Sequence, residues 1–136
     1  KLFEKLVIGI YDRPSKNLLF TTDERLELVQ KSITTLPRVG VRVFSGMTVS
    51  FAKEMKAQTI VRGLRMSADF EREFDLAMMQ KTLYPEIEIV CLMSDLKYQF
   101  LSSSLLKEAA RLGGDISELV PRHVVTALKE KFSSGV

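Results

Sequence analysis

The sequence contains one cysteine, one histidine and no tryptophan among 136 residues. The single cysteine, Cys91, excludes an internal disulfide, and its apolar neighbours predict that it lies in a buried strand. The single histidine, His123, is expected to cap a helix or to face solvent. The sequence has no metal-ligand cluster, nucleophile triad, Walker loop or Gly-x-Gly-x-x-Gly fingerprint. An enzyme of this composition would work by positioning and charge stabilisation, as phosphoryl and nucleotidyl transfer can.

Long apolar runs are also missing. No run approaches the roughly 20 residues that span a bilayer, and the start of the chain lacks the pattern of a signal peptide. We therefore expect no membrane partner and a cytoplasmic location. Apolar residues make up 46% and charged residues 27%, a balance typical of globular proteins. At this length we expect one domain over residues 1–136.

The net charge of +3 does not come from a basic cluster. The cations are spread along the chain, and no stripe of aromatic and basic residues suited to stacking single strands is present. Nucleic acid is therefore not an expected partner. Binding of small anionic molecules would explain the net positive charge equally well.

Apolar strand patterns alternate with helical patterns along the chain, which predicts an α/β fold with a parallel sheet covered by helices on both faces. Such sheets bind ligands at the carboxyl ends of their strands, where three loops are expected to meet: 12–17, 62–66 and 94–102. The predicted strands are 5–11, 41–44, 58–62 and 87–93, and the predicted helices are 22–34, one from Thr48, 67–83, 102–111, 116–119 and 122–132.

The motif Arg62-Gly63-Leu64-Arg65 ends a predicted strand and precedes a helix that begins at Ser67. Guanidinium groups suit phosphate oxygens, and a glycine lets a ligand approach the backbone, so this junction is a candidate phosphate site. The alternative is that both arginines pair with acidic residues on the next helix, namely Asp69, Glu71 or Glu73.

Two further segments lie at predicted loops of the same edge. The serines Ser102-Ser103-Ser104 open a helix, where one hydroxyl suffices for capping and three could also hold a phosphate. Lys16 is a loop lysine that either binds an anion or is simply solvated.

The helix predicted at 67–83 has apolar residues over much of its circumference, including Phe70, Phe74 and Met78. A subunit interface is the interpretation we favour, and a fully internal helix is the alternative.

Taken in order, these motifs resemble phosphopantetheine adenylyltransferase, the bacterial enzyme of coenzyme A synthesis, and the resemblance runs nearly end to end. Members of that family are nucleotidyltransferases of Rossmann-like fold and are usually homo-hexamers. The motifs that carry the resemblance are Pro14-Ser15-Lys16, Phe20-Thr21 with Glu24-Arg25, Arg62-Gly63-Leu64-Arg65, Ala68-Asp69-Phe70-Glu71 with Glu73, and Phe100-Leu101-Ser102-Ser103-Ser104 with Lys107-Glu108.

The resemblance implies transfer of the adenylyl group of ATP to 4'-phosphopantetheine, with Mg²⁺ assisting and with dephospho-coenzyme A and pyrophosphate as products. It implies that Lys16, Thr48 and Arg62 hold phosphopantetheine, and that Lys16 and Arg65 support catalysis. Arg72 stands where family members often have an aromatic residue. The implied ATP-binding residues are Gly63, Leu64, Arg65, Glu73, Tyr98, Gln99, Phe100, Leu101, Ser102, Ser103 and Ser104.

The resemblance also implies a first strand, a Gly-His loop and a helix that precede the first residue of this sequence, so the catalytic histidine is expected in that segment and not at His123. Two other functions stay open at this stage. One is a non-catalytic nucleotide-binding or assembly module that has lost the histidine. The other is an adenylyltransferase for another substrate, such as nicotinamide mononucleotide.

Overall fold

The computed structural model describes residues 2–13 and 18–133, and these form parallel strands connected by helices. The prediction of an α/β fold with parallel strands is confirmed. The strands are β1 Leu6–Tyr11, β2 Val39–Phe44, β3 Thr59–Leu64 and β4 Glu88–Met93, and the helices are α1 Thr22–Ser32, α2 Thr48–Glu54, α3 Ser67–Leu83, α4 Ser103–Arg111 and α5 Arg122–Ser133.

The chain groups into two compact units, one made of residues 1–45 and 102–136 and the other of residues 46–101. Each unit has its own two-stranded parallel sheet. In the first unit β1 pairs with β2, and in the second β3 pairs with β4. The strands thus hydrogen-bond in two separate pairs within the described ranges, each pair joined by a helical crossover.

Helix α1 begins where the sequence predicts. The Thr21 hydroxyl accepts a hydrogen bond from the Glu24 amide at 3.2 Å, and the Glu24 carboxylate accepts one from the Thr21 amide at 2.8 Å. This capping box satisfies two amide groups that have no partner within the helix. It lies in the first unit, where β1 and β2 pair over six residues each.

Helix α5 packs on α1 in the same unit through polar contacts. Lys131 Nζ lies 2.7 Å from a Glu24 carboxylate oxygen, and His123 Nε2 lies 3.0 Å from the Leu28 carbonyl oxygen and 3.1 Å from the Ser32 hydroxyl. His123 therefore joins α5 to α1.

The second unit has a small apolar core between α2 and its sheet. Val49 and Ala52 of α2 pack with Ile60 of β3 and with Ile87, and all four are buried. Helix α3 has the predicted bounds, but none of its residues is buried within the unit. Phe70, Phe74 and Met78 are each 55% exposed.

Two sequence-based predictions need correction. Cys91 lies in β4 as expected, but it is exposed, because burial depends on what covers the strand and not on the apolar character of its neighbours. Residues 116–119, predicted as a short helix, form a turn closed by a hydrogen bond from the Leu119 amide to the Ile116 carbonyl. No helix in the described part of the chain combines the length and the apolar character needed to cross a membrane.

Candidate functional site

Strand β3 extends two residues beyond its predicted end. Its ladder with β4 continues to Leu64, which is paired with Met93 and is only 5% exposed. The Leu64 carbonyl also accepts a hydrogen bond from the Ser94 amide at 2.7 Å. Arg62 and Gly63 therefore lie inside the strand, and Arg65 is the first residue beyond it.

The glycine at position 63 is not required by its surroundings. A Cβ atom added there would meet no other described atom within 4 Å, and its φ angle is not positive. Neither packing nor backbone conformation explains why this residue is glycine. Open space on this side of β3 is what a closely approaching ligand needs.

Arg62 joins β3 to helix α3. Its Nε and Nη2 atoms donate to the two carboxylate oxygens of Glu73, both at 2.6 Å. The Arg62 hydrogen bond lowers the pKa of Glu73, and the same contact raises the pKa of Arg62. Two residues that the resemblance assigns to different substrates, Arg62 to phosphopantetheine and Glu73 to ATP, thus form one ion pair.

Arg65 is held from two sides. Asp69, in the first turn of α3, accepts from Arg65 Nε at 3.0 Å and from Nη2 at 3.2 Å, and also from the Arg65 backbone amide at 3.1 Å. On the other side, Arg65 Nη1 donates to the carbonyl oxygen of Leu101 at 2.6 Å. Within the second unit, the loop after β3 and the loop after β4 are therefore in contact, through Arg65 and Leu101.

These contacts bear on the two interpretations of the arginines. Arg62 and Arg65 both pair with acidic residues of α3, as the alternative interpretation predicts, yet neither guanidinium uses all of its N–H donors in these contacts. An arginine has five N–H donors, and Arg65 uses three of them in these contacts. One N–H on each terminal nitrogen of Arg65 remains for a phosphate oxygen, on a side chain that is 37% exposed.

The segment before α4 and the first turn of α4 contain the remaining residues assigned to ATP. Leu96–Tyr98 form a short 3₁₀ helix, and Tyr98 and Phe100 are 40% and 58% exposed. Ser102 caps α4, because its hydroxyl accepts the Leu105 amide at 3.2 Å. Ser103 and Ser104 follow in the first turn and are exposed. Capping thus uses one hydroxyl, and the other two face outward.

The residues assigned to phosphopantetheine are only partly described. Thr48 is the first residue of α2 and is half-buried. Lys16 lies outside the described residues. Among the described residues nearby, the Thr22 hydroxyl donates to the Asp12 carbonyl oxygen at 3.3 Å.

An open hollow in the first unit is a feature that the sequence analysis did not identify. It has a volume of about 450 Å³, with apolar side chains from Leu18, Leu19 and Phe132 and charged ones from Lys107, Glu108 and Arg111. The charged residues recur at i, i+1 and i+4 on α4 and so share one helix face, which is a signal that sequence periodicity could have revealed. Apolar walls with charged groups suit a molecule that is partly polar.

The described residues contain no group of three or more His, Cys, Asp or Glu side chains that could hold a metal ion. A divalent cation could still arrive bound to phosphate oxygens of a nucleotide, which is a common way for Mg²⁺ to enter such sites.

Comparison with known proteins first identifies the class. Residues 1–109 match the family model described as cytidylyltransferase-like, so the parallel strands and the arginine junction belong to a nucleotidyltransferase-type domain.

The closer relationship comes from whole-chain relatives. The chain is 49% identical over 131 residues to a phosphopantetheine adenylyltransferase of Dehalococcoides mccartyi, covering 96% of this chain and 82% of the relative. It is 47% identical to those of Roseiflexus castenholzii, covering 97% and 82%, and Thermomicrobium roseum, covering 100% and 83%. The chain belongs to the phosphopantetheine adenylyltransferase family.

Proposed function

We propose that the protein transfers the adenylyl group of ATP to 4'-phosphopantetheine and releases pyrophosphate and dephospho-coenzyme A. The observation that carries the proposal is the position of Arg65. This arginine lies at the carboxyl end of a parallel strand, where α/β sheets bind ligands, and keeps two N–H groups available. It also holds the residue directly before the serine-rich start of α4.

The reaction needs no nucleophile from the protein. An oxygen of the phosphopantetheine phosphate forms the new bond to the α-phosphorus of ATP, and the bond from that phosphorus to the bridging oxygen breaks as pyrophosphate leaves. Negative charge grows on the leaving oxygens, and fixed positive charge lowers the barrier. We assign that role to Arg65 and the binding of the ATP phosphates to Gly63, Leu64 and the segment 98–104.

For the second substrate we assign Lys16, Thr48 and Arg62. Arg62 can contribute because Nη1 lies outside its contact with Glu73.

The cofactor and the assembly are part of the same proposal. Mg²⁺ would enter with the ATP phosphates, and no step is assigned to it here because the described side chains form no ligand cluster for it. The exposed aromatic side chains of α3 support a homo-oligomer, for which we propose a hexamer. We propose that the protein acts in the cytoplasm, with coenzyme A or dephospho-coenzyme A as further ligands.

The test is an assay of the full-length polypeptide with MgATP and 4'-phosphopantetheine. Pyrophosphate release and dephospho-coenzyme A, detected by mass spectrometry, should appear together. Nicotinamide mononucleotide in place of phosphopantetheine should give no product. Binding of ATP without turnover would contradict the proposal and favour a non-catalytic nucleotide-binding module.

Two variants connect the activity to the site. Arg65→Ala should lower kcat by about ten- to a hundred-fold, because charge-assisted contacts to phosphate are worth roughly 1.5–3 kcal/mol. Lys16→Ala should mainly raise the KM for phosphopantetheine. An Arg65→Ala enzyme with the kcat of the parent would show that Arg65 has another role.

A further inference from the structure

Asp69 makes more contacts with Arg65 than an incidental ion pair would. Its two carboxylate oxygens accept the Nε and Nη2 groups of the guanidinium, and Oδ2 also accepts the backbone amide of the same residue. One side chain thus fixes both the main chain and the side chain of Arg65. The planar guanidinium can satisfy this arrangement in only one orientation.

The third contact of Arg65 points toward the segment that precedes α4. Nη1 donates to the Leu101 carbonyl at 2.6 Å, on the opposite side from Asp69. If the guanidinium turned about its long axis, it would lose this contact or the two-pronged one with Asp69. Asp69 therefore determines which N–H groups of Arg65 are used inside the protein and which remain for a ligand.

We infer that Asp69 is a positioning residue for the adenylyl-transfer reaction: it orients the Arg65 guanidinium so that its two remaining N–H groups face the ATP phosphates. The inference rests on the proposed function. Asp69 itself carries the same sign of charge as a phosphate, so it is not expected to contact one. Its effect on the reaction passes through Arg65.

The decisive variant is Asp69→Asn in the full-length polypeptide. An asparagine oxygen can still accept the Arg65 amide, so the start of α3 keeps its contact, while the charged two-pronged contact is lost. A misplaced guanidinium should lower kcat/KM for ATP by about ten- to a hundred-fold. The KM for phosphopantetheine should not change. Asp75→Asn, the same change at an exposed position of the same helix, should leave both constants as in the wild type.

A double-mutant cycle separates positioning from general damage. In an Arg65→Lys background the planar donor is already gone, so adding Asp69→Asn should cause no further loss in kcat/KM for ATP. Equal losses in both backgrounds would overturn the inference. So would a loss of activity that is matched by an equal fall in the folded fraction of Asp69→Asn, measured by circular dichroism.

The same assay distinguishes this inference from the proposed function. A wild-type protein that gives no dephospho-coenzyme A overturns the proposed function and removes the basis of the inference. An active wild type in which Asp69→Asn behaves like Asp75→Asn overturns the role of Asp69 alone. Circular dichroism and thermal unfolding of each variant establish that the compared proteins are folded.

Discussion

Arg62 and Glu73 connect strand β3 to helix α3 by two parallel hydrogen bonds of 2.6 Å each. The Glu73 side chain is 14% exposed and that of Arg62 is 40% exposed, so solvent screens part of the attraction. The pair links a strand residue to a helix residue 11 positions later, so a substitution at either residue would affect both β3 and α3.

We predict that the two residues are coupled in stability. Arg62→Met and Glu73→Gln should each destabilise the protein, and the double variant should be less destabilised than the sum, with a coupling of about 1 kcal/mol. Urea unfolding of the four proteins measures it. The more exposed pair Lys31 and Glu27 provides the control, with an expected coupling of about 0.3–0.5 kcal/mol. Strict additivity at Arg62 and Glu73 would contradict the prediction.

The acid stability of the protein should depend on Glu73. Arg62 lowers its pKa below the ordinary value of 4.5, so near that pH the unfolded chain binds more protons than the folded one. The pair therefore stabilises the fold fully above pH 4.5, and this contribution is lost as pH falls through the lowered pKa. Between pH 7 and pH 3, the free energy of unfolding should decline less steeply for Glu73→Gln than for the wild type. Arg62→Met should show the same flatter decline. If either variant lost stability with falling pH as steeply as the wild type, other titrating groups would dominate the acid destabilisation.

Local signals in the sequence predicted the helix starts well. The capping box of Thr21 and Glu24 is present, and the bounds of α3 agree with the pattern from Ser67 to Leu83. The end of β3 was not predictable in the same way, because its last two residues are held by pairing with β4 about thirty positions later. Strand ends depend on a partner that local patterns do not contain.

Some contacts among the candidate site residues were predictable from the sequence, and others were not. Pairing of Arg65 with Asp69 was foreseeable as an alternative, because acidic residues follow the arginine closely in the first turn of α3. The contact of Arg65 with Leu101 was not, since a backbone carbonyl has no signature in the sequence. The prediction that Cys91 is buried was wrong for a related reason, because burial depends on what packs against β4.

Gly63 permits a test that separates ligand binding from folding. Its position is open and its φ angle is accessible to alanine, so Gly63→Ala should leave stability unchanged or raise it by about 0.4–1 kcal/mol. The added methyl group should nevertheless weaken ATP binding, if the nucleotide approaches the backbone here. Titration calorimetry with ATP and thermal unfolding give the two quantities.

Gly40 is the matched control for that experiment. It lies in β2, and a Cβ atom added there also meets nothing within 4 Å. Gly40→Ala should therefore have the same small effect on stability and none on ATP affinity. Equal ATP affinities for the two alanine variants would show that the ligand does not approach β3 at Gly63.

Helix α3 provides the test of assembly. Phe70 and Phe74 lie 6.1 Å apart between ring centroids, and together with Met78 they leave an apolar surface on the second unit. Contiguous apolar surface of this kind marks an interaction site more often than a free face.

If this surface of α3 is a contact between copies, Phe74→Glu should place a charge in a desolvated interface and reduce the mass of the particle measured by light scattering after gel filtration. Leu36→Glu makes the same kind of change at a residue that is 48% exposed in the first unit, and it should leave the mass unaltered. A monomeric wild type, or a Phe74→Glu protein with the mass of the wild-type assembly, would exclude α3 as the contact surface.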